Sequence, residues 1–248
     1  MSDILVVMPT LNEVDNLART VGRVRQQIPH ADVLIIDDAS SDGTSQLADK
    51  LAADDASVSV VHRQERGFAS AILHAFRHAI DAKTYKHVVT VDADGSYDLG
   101  TLNDLLQAAQ SESLDLVIGS RWVPGADVRN MAGRRRASSW VGNLYSRSLL
   151  GTSVRDLTSA TRVYSVSILR SLPLDRIRSE AYAFQIEMVT RVAQAGGRIA
   201  ELPIDYVERS IGKSKMRMGD VLSAGAKVTR WGVRGVRAKP RERGQSDR

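Results

Sequence analysis

Five short aliphatic runs recur through the first half of the chain: Ile4 to Met8, Val33 to Ile36, Val58 to Val61, Val88 to Val91 and Leu114 to Ile118. Each is rich in β-branched residues and too short for a buried helix, the pattern of strands covered on both faces. Between them, Glu13 to Gln27, Gly43 to Ala53, Phe68 to Ala82 and Leu99 to Gln110 carry apolar residues at helical spacing. Strand and helix in strict alternation predict βαβ units and a doubly wound, mostly parallel sheet flanked by helices. Ligands of such sheets sit at the carboxyl ends of the strands.

Four polar clusters stand at those ends. They are Pro9-Thr10-Leu11-Asn12-Glu13, Asp37-Asp38-Ala39-Ser40, Asp92-Ala93-Asp94-Gly95-Ser96 and Gly119-Ser120-Arg121, and the topology predicts that they meet in one crevice. No Gly-x-Gly-x-x-Gly fingerprint follows any of the strands, which disfavours a nicotinamide or flavin cofactor. Arg121 to Trp140 is rich in Gly, Arg and Asp without clear periodicity and reads as a loop over the crevice. A helix over Ala183 to Ala195 and a strand over Arg198 to Val207 are expected beyond it.

Asp92 and Asp94, separated by one residue after an apolar strand, are hard oxygen ligands that suit Mg²⁺ or Mn²⁺ with positions left for diphosphate oxygens. An Asp-x-Asp is also an ordinary strand-ending turn, and only its place at the shared crevice favours the metal. Asp38 stands at a strand tip, able to accept hydrogen bonds from a base or ribose, while Ser41 and Asp42 serve the next helix. Glu13 reads equally as a first-turn carboxylate. Arg121, Arg134, Arg135, Arg136, Arg209, Lys213 and Lys215 gather where phosphates need counter-charge, although an arginine run is also a common solvated surface. Gln185 and Glu187 form a polar pair inside an apolar helix start and require partners.

Charge is uneven along the chain. The whole carries +5, yet residues 209–248 hold twelve lysines and arginines against three acids, so the remainder is net acidic. That asymmetry points to a polyanionic partner, a phosphate-bearing lipid surface or a nucleic acid. Val221, Ala224, Val228 and Trp231 form an apolar stripe beside a basic face of Lys227, Arg230, Arg234 and Arg237, the pattern of an interfacial helix, or of a helix packed on its own domain. No aromatic ladder interleaves with the basic residues, so nucleic acid is not expected as a partner. No run reaches the ~20 apolar residues of a membrane span, and nothing at the start reads as a signal peptide. The absence of cysteine fits a reducing compartment, and a peripheral protein on the cytoplasmic membrane face is expected.

Taken together these motifs resemble the polyprenol-phosphate, or dolichol-phosphate, mannose synthases of the family 2 inverting glycosyltransferases. The likeness spans about Ile4 to Met218 and adds Val154-Arg155-Asp156-Leu157-Thr158-Ser159, Tyr182-Ala183-Phe184-Gln185-Ile186-Glu187 and Glu208-Arg209-Ser210-Ile211-Gly212-Lys213-Ser214-Lys215 to the clusters above. It implies a GT-A fold over residues 1–215, with a nucleotide-sugar half at 1–121 and an acceptor half at 122–215. An amphipathic interfacial helix at 216–238 and a disordered tail at 239–248 would follow. The resemblance implies transfer of mannose from GDP-mannose to a polyprenyl monophosphate with inversion. Pro9, Leu11, Glu13, Ile36, Asp38, Asp92, Ala93, Asp94, Arg121, Arg209 and Lys215 would bind the nucleotide sugar. Arg134, Arg136, Ser214 and Lys215 would meet the acceptor phosphate; Asp92, Asp94 and Ser96 would hold Mg²⁺ or Mn²⁺; and Asp94, Asp92 and Arg121 would carry catalysis. A UDP-glucose-dependent glucosyltransferase of the same fold is the alternative, and a separate membrane-protein partner is possible for a chain lacking its own span.

Overall fold

The computed structural model describes residues 2–207 and 218–236. Seven strands form one sheet in the order β3-β2-β1-β4-β7-β5-β8. In chain order they are β1 (Ile4–Thr10), β2 (Asp32–Asp37), β3 (Val58–His62), β4 (His87–Thr90), β5 (Leu116–Ser120), β7 (Arg162–Ser165) and β8 (Ile199–Pro203), while β6 (Val128–Arg129) pairs separately with β9 (Tyr206–Val207). Helices α1 (Val14–Gln27), α2 (Thr44–Asp54), α3 (Phe68–Ala82) and α4 (Leu102–Ser111) cross between the early strands, followed by α5 (Gly133–Leu150), α6 (Val166–Ser171), α7 (Ala181–Gln194) and α8 (Met218–Val233). A short 3-10 turn, Leu99–Thr101, leads into α4.

Alternate strand residues serve opposite faces of the sheet, as period-2 geometry requires. Leu5, Val7, Leu34, Ile36, Val88, Leu116 and Ile118 pack with Phe76 of α3 and Phe184 of α7 on one side. Ile4, Val6, Met8, Val33, Ile35, Val89 and Val117 pack with Leu17 of α1 and Leu105 of α4 on the other. Each such aliphatic side chain contributes about 1.5–3 kcal/mol when fully buried, so the sheet is locked from both faces.

The sheet is mostly parallel, as expected, with β7 lying antiparallel between β4 and β5. That strand opens on the fully buried Arg162, which hides its apolar signal. The predicted loop over Arg121 to Trp140 gives way to helix from Gly133 onward, and the expected strand Arg198 to Val207 divides after Pro203 into β8 and β9. A proline ends the ladder there because it has no N–H to donate.

The apolar stripe of α8 faces inward. Val228 is fully buried and Ala224 nearly so, Trp231 packs against the core, and the Tyr145 hydroxyl lies 2.7 Å from Thr229 Oγ1. From Ala224 onward the stripe is therefore covered by protein, while Val221 at its start stays exposed, and an interfacial role resting on Ala224, Val228 and Trp231 is not what this packing provides. Lys227 Nζ reaches the Arg178 carbonyl at 3.4 Å, and no described helix is long and apolar enough to cross a membrane. Arg237 and the tail at 239–248 lie outside the described residues.

Two glycines test this packing. A Cβ at Gly232 would meet Leu149 Cβ at 3.1 Å, whereas one at Gly225 meets nothing within 4 Å. In thermal unfolding, Gly225→Ala is expected to stabilise by about 0.5–1 kcal/mol, and Gly232→Ile to destabilise by about 1–3 kcal/mol through overpacking.

Candidate active site

Backbone exits at the carboxyl edge converge on a cavity of about 730 Å³. Pro9, Leu11 and Glu13 follow β1, Asp38 follows β2, Asp92, Ala93, Asp94 and Ser96 follow β4, and Arg121 follows β5; all line that cavity. Four clusters spread over more than a hundred residues thus share one space. Hydrogen bonds stitch the first two together: Ser40 Oγ accepts from the Asn12 N–H at 2.8 Å and Asn12 Oδ1 accepts from the Ser41 N–H at 2.8 Å. Asp42 accepts from the N–H groups of Val14 and Thr44, so one carboxylate serves the first turns of both α1 and α2, whose orphan donors need it.

Asp38 is anchored by the Gly67 N–H at 3.0 Å and by Arg63 Nε at 3.2 Å. Burial pushes its carboxyl above the ordinary aspartate range, outweighing the Gly67 bond and the Arg63 charge. Its neighbour Asp37 behaves oppositely: burial pushes its carboxyl up, but hydrogen bonds from Ser40, Ser45 and His62 outweigh that and hold it low. Two adjacent carboxyls with opposed shifts mark Asp37 as the structural partner and Asp38 as the one turned to the cavity.

Asp92 and Asp94 are half-buried in the cavity wall. Asp94 Oδ1 accepts from the Ser96 N–H at 2.9 Å, closing the tight turn that Gly95 permits at φ +70°. Ser96 Oγ is buried without a hydrogen-bond partner. Among the described residues no group of three or more His, Asp or Glu side chains is placed to hold a metal. The donor set is therefore two carboxylates and a spare hydroxyl, which fits a hard cation that keeps positions for substrate oxygens and water. Thr20 Oγ1 donates to the Ala93 carbonyl at 3.2 Å, and Ser96 accepts from the Val207 N–H at 3.0 Å through its carbonyl.

Arg121 departs from the expectation of a free phosphate-binding cation. It is nearly buried, and Asp156 takes its Nε at 2.7 Å and its Nη2 at 2.8 Å. Burial lowers the guanidinium's affinity for its proton, but Asp156 overrides this and holds it firmly charged. The Tyr206 ring lies 5.8 Å from its Cζ. The charge is neutralised in place, leaving the cavity a donor edge rather than a bare cation.

Other positions divide. Ile36 is fully buried in the core beside the sheet and is not among the cavity-lining residues, so its side chain is corrected to a packing role. Arg134 and Arg136 are exposed and outside the lining, whereas Arg135 between them lines the cavity. Helical geometry explains the exchange: neighbours on a helix are 100° apart, and only one of three consecutive arginines faces inward. Arg209, Lys213, Ser214 and Lys215 lie outside the described residues. Gln185 lines the cavity with its Oε1 unpaired, while Glu187 binds Arg191 on the same helix.

Residues that the sequence reading did not single out also line the wall: Arg66, Gly67, Phe68, Tyr97 and Tyr206. A turn rich in charge before α3 was the only signal for Arg66, Gly67 and Phe68. Ala181, at φ +49°, takes a left-handed conformation unfavourable to a non-glycine, just before Tyr182 enters the cavity wall.

This arrangement, a carboxylate pair at the edge of a doubly wound sheet, accords with a group-transferring α/β enzyme. Residues 5–172 match the profile of glycosyl transferase family 2, and the chain belongs to that family of glycosyltransferases. Among curated relatives, the undecaprenyl-phosphate mannosyltransferase of Micrococcus luteus is 44% identical over 95% of this chain and 98% of its own length. The polyprenol monophosphomannose synthase of Mycolicibacterium smegmatis is 42% identical over 93% of this chain and 87% of its own. Solved structures share the fold at low identity. The glucosyl-3-phosphoglycerate synthase of Mycobacterium tuberculosis, in complex with Mn²⁺, UDP and its product, has a TM-score of 0.66 at 20% identity, covering 97% of this chain and 82% of that one. A mannosyltransferase from Pyrobaculum calidifontis, bound to GDP-mannose and Mn²⁺, has a TM-score of 0.57 at 18% identity, covering 86% and 58%.

His62 braces the loop beneath Asp38 through Asp49 at 2.8 Å and Asp37 at 3.3 Å. The Asp49 bond, against a smaller effect of burial, raises the imidazole above its ordinary value. The stabilisation is then whole below that ordinary value and is lost as pH climbs through the raised one. The difference in Tm between wild type and His62→Gln should accordingly be largest near pH 6 and shrink toward pH 8; a constant difference would remove the imidazolium from the account.

Proposed function

We propose that this chain transfers mannose from GDP-mannose to a polyprenyl monophosphate, forming polyprenyl-phosphate mannose with inversion at the anomeric carbon. The observation that carries the reading is the convergence of Asp92, Asp94 and Ser96 with Asp38, Arg121 and Arg135 in one cavity. Two relatives named for this chemistry align over nearly the whole chain and favour mannose over the glucose alternative.

Glu13, Asp38, Asp92 and Asp94 line the cavity together with Arg66, Arg121 and Arg135, and within it Arg121 is paired with Asp156 and Asp38 with Arg63. A diphosphate brought beside the Asp92 and Asp94 carboxylates calls for added cationic charge. When bound by Asp92 and Asp94, with the Ser96 hydroxyl in reach, Mg²⁺ or Mn²⁺ supplies Lewis-acid neutralisation of a departing diphosphate.

An oxygen of the acceptor phosphate attacks the anomeric carbon as the bond from that carbon to the β-phosphate oxygen breaks, and the electron pair leaves with GDP. No proton must be removed, because a phosphate monoester with a second pKa near 6 is largely dianionic at neutral pH. This accords with a cavity wall whose acid groups surround the donor and whose acceptor side offers an arginine. Asp38 accepts from the ribose or base, and Arg121 presents its donor edge to the diphosphate. Arg135 takes the acceptor-phosphate role that the family resemblance implied for Arg134 and Arg136.

A lipid acceptor has to be met at a bilayer, and α5 offers the surface. Trp140, Val141, Leu144 and Tyr145 on α5 are each more than two-fifths exposed, as are Val221 and Leu222 on α8. The Tyr145–Thr229 contact sets the two helices side by side. The exposed Arg134 and Arg136 stand at the start of α5, which carries no acid, so the apolar patch has basic neighbours that complement an anionic lipid surface. The membrane face thus consists of α5 with the start of α8, rather than the inward stripe of α8.

The activity test measures radiolabelled mannose passing from GDP-mannose into an organic-extractable product in the presence of polyprenyl phosphate, with UDP-glucose as the comparison donor. Asp94→Ala is expected to lower turnover by at least about 10³-fold while its unfolding curve stays near wild type. Undiminished transfer by that variant, or transfer from UDP-glucose alone, would refute the assignment. For the surface, Trp140→Asp with Leu144→Asp is expected to weaken flotation with phosphatidylglycerol vesicles by about 10-fold or more, sparing transfer to a short, water-soluble polyprenyl phosphate.

A further inference from the structure

Arg121 owes its placement to a loop that three other elements hold by its backbone. In β8, Glu201 accepts from the N–H of Arg155 at 2.7 Å and of Asp156 at 2.8 Å. In α5, Asn143 accepts from the Leu157 N–H at 2.8 Å. In β7, the fully buried Arg162 donates to the carbonyls of Leu157 at 2.9 Å and Ser159 at 2.7 Å. Loop backbone is ordinarily satisfied by water or by its own turns. Here a carboxylate, an amide and a guanidinium from separate elements are used on four of the five residues 155–159.

What this framework fixes is Asp156, whose side chain has no exposure. Its two oxygens receive the Arg121 N–H, Nε and Nη2, together with the N–H groups of Thr158 and Ser159. Thr158 Oγ1 accepts from Arg121 Nη2 as well, at 2.8 Å. Nη1 takes part in none of these bonds, and Arg121 lines the cavity. A planar fork gripped along one edge has its remaining edge aimed.

We propose that Asp156 is a positioning residue that acts through Arg121: it aims the guanidinium's free edge at the donor diphosphate and neutralises the charge behind that edge. This rests on the reading of the cavity as a nucleoside-diphosphate-sugar site. Neutralisation matters to release as much as to binding, since a buried unpaired cation would hold the GDP product tightly. Loss of Asp156 is therefore expected to slow turnover more than it weakens donor binding. A residue that only supports the fold would lower stability and leave the relation between kcat and KM unchanged.

The test is a double-mutant cycle of Arg121→Gln and Asp156→Asn, read in two ways. In Asp156→Asn the amide offers a single acceptor where the fork needs two. In sugar transfer, kcat is expected to fall on the order of 10²-fold, the scale of misplacing one catalytic contact, with KM for the donor changed far less. The double variant should be no slower than the worse single. In GDP titration without acceptor, Asp156→Asn should have no further effect on affinity once Arg121 is replaced. Losses that multiply in both cycles, or wild-type kcat in Asp156→Asn, overturn the proposal. If wild type transfers no sugar, the functional reading falls, and the GDP cycle still decides whether Asp156 works through Arg121. Should Asp156→Asn not fold, Glu201→Gln, which removes one of two backbone acceptors outside the cavity wall, takes its place with an expected loss of several-fold in kcat that vanishes in the Arg121→Gln background.

Discussion

Much of the site depends on the antiparallel insertion of β7 between β4 and β5. All the other strands of the large sheet run parallel to their neighbours, so their carboxyl ends deliver Glu13, Asp38, Asp94 and Arg121 to one edge. A strand running the opposite way brings its beginning, not its end, to that same edge. The loop before β7 therefore arrives where a parallel strand would have delivered the loop after it. Thr90 and Ile118, near the ends of β4 and β5, both pair with Arg162 at the start of β7. Asp156 and Thr158 are thereby placed beside Arg121, and Ala160 enters the cavity wall.

Electrostatics then divides labour inside the cavity. Buried ion pairs return little net stability, because desolvation offsets the Coulomb gain. The Arg121–Asp156 pair is better understood as a device for orientation: burial pushes the carboxyl of Asp156 up, but the Arg121 charge and the hydrogen bonds from Arg121 and Thr158 outweigh it and hold the carboxyl low and charged. Asp37 serves similarly beneath Asp38, taking the hydroxyls of Ser40 and Ser45 so that its neighbour remains available. The carboxylates left facing the cavity are those for which hard-cation chemistry is apt.

Sequence periodicity made the first half of the fold legible because β1, β2, α1, α3 and α4 each bury a run of apolar residues at strand or helix spacing. The predicted helix Phe68 to Ala82 matches α3 to the residue, and Ile4 to Met8 falls inside β1. Legibility fails where burial is partial. In α5, only Asn143, Ser146 and Leu150 are buried, two of them polar, while Trp140 and Leu144 face outward. Its hydrophobic pattern is therefore not that of a helix covering a core, and Gly133 and Gly142 reinforce the look of a loop. β7 was hidden for another reason: Arg162 is fully buried with no carboxylate partner, held by carbonyl oxygens and the Tyr164 hydroxyl. A charged residue at such a position argues against a central strand until the tertiary acceptors are seen. Which of Arg134, Arg135 and Arg136 lines the cavity was hidden by the same gap, since facing on a helix cannot be assigned where the helix itself was not recognised.

Helix α5 joins these threads. Its outer side carries Trp140, Val141 and Leu144, and its inner side carries Arg135 to the cavity and Asn143 to the loop that bears Asp156. Asn143 also donates to the Ser139 carbonyl within the helix at 3.0 Å, so its amide is fixed by α5 before it reaches Leu157. A rigid-body shift of α5 large enough to accommodate lipid on its outer face would carry Asn143 and Arg135 together. Because packed interiors resist continuous deformation, such a shift is opposed by α8, whose Val228 is fully buried and whose Trp231 packs on the same core. The inward residues of α8 then hold α5 with Trp140, Val141 and Leu144 outward while keeping its other side in register with Arg121.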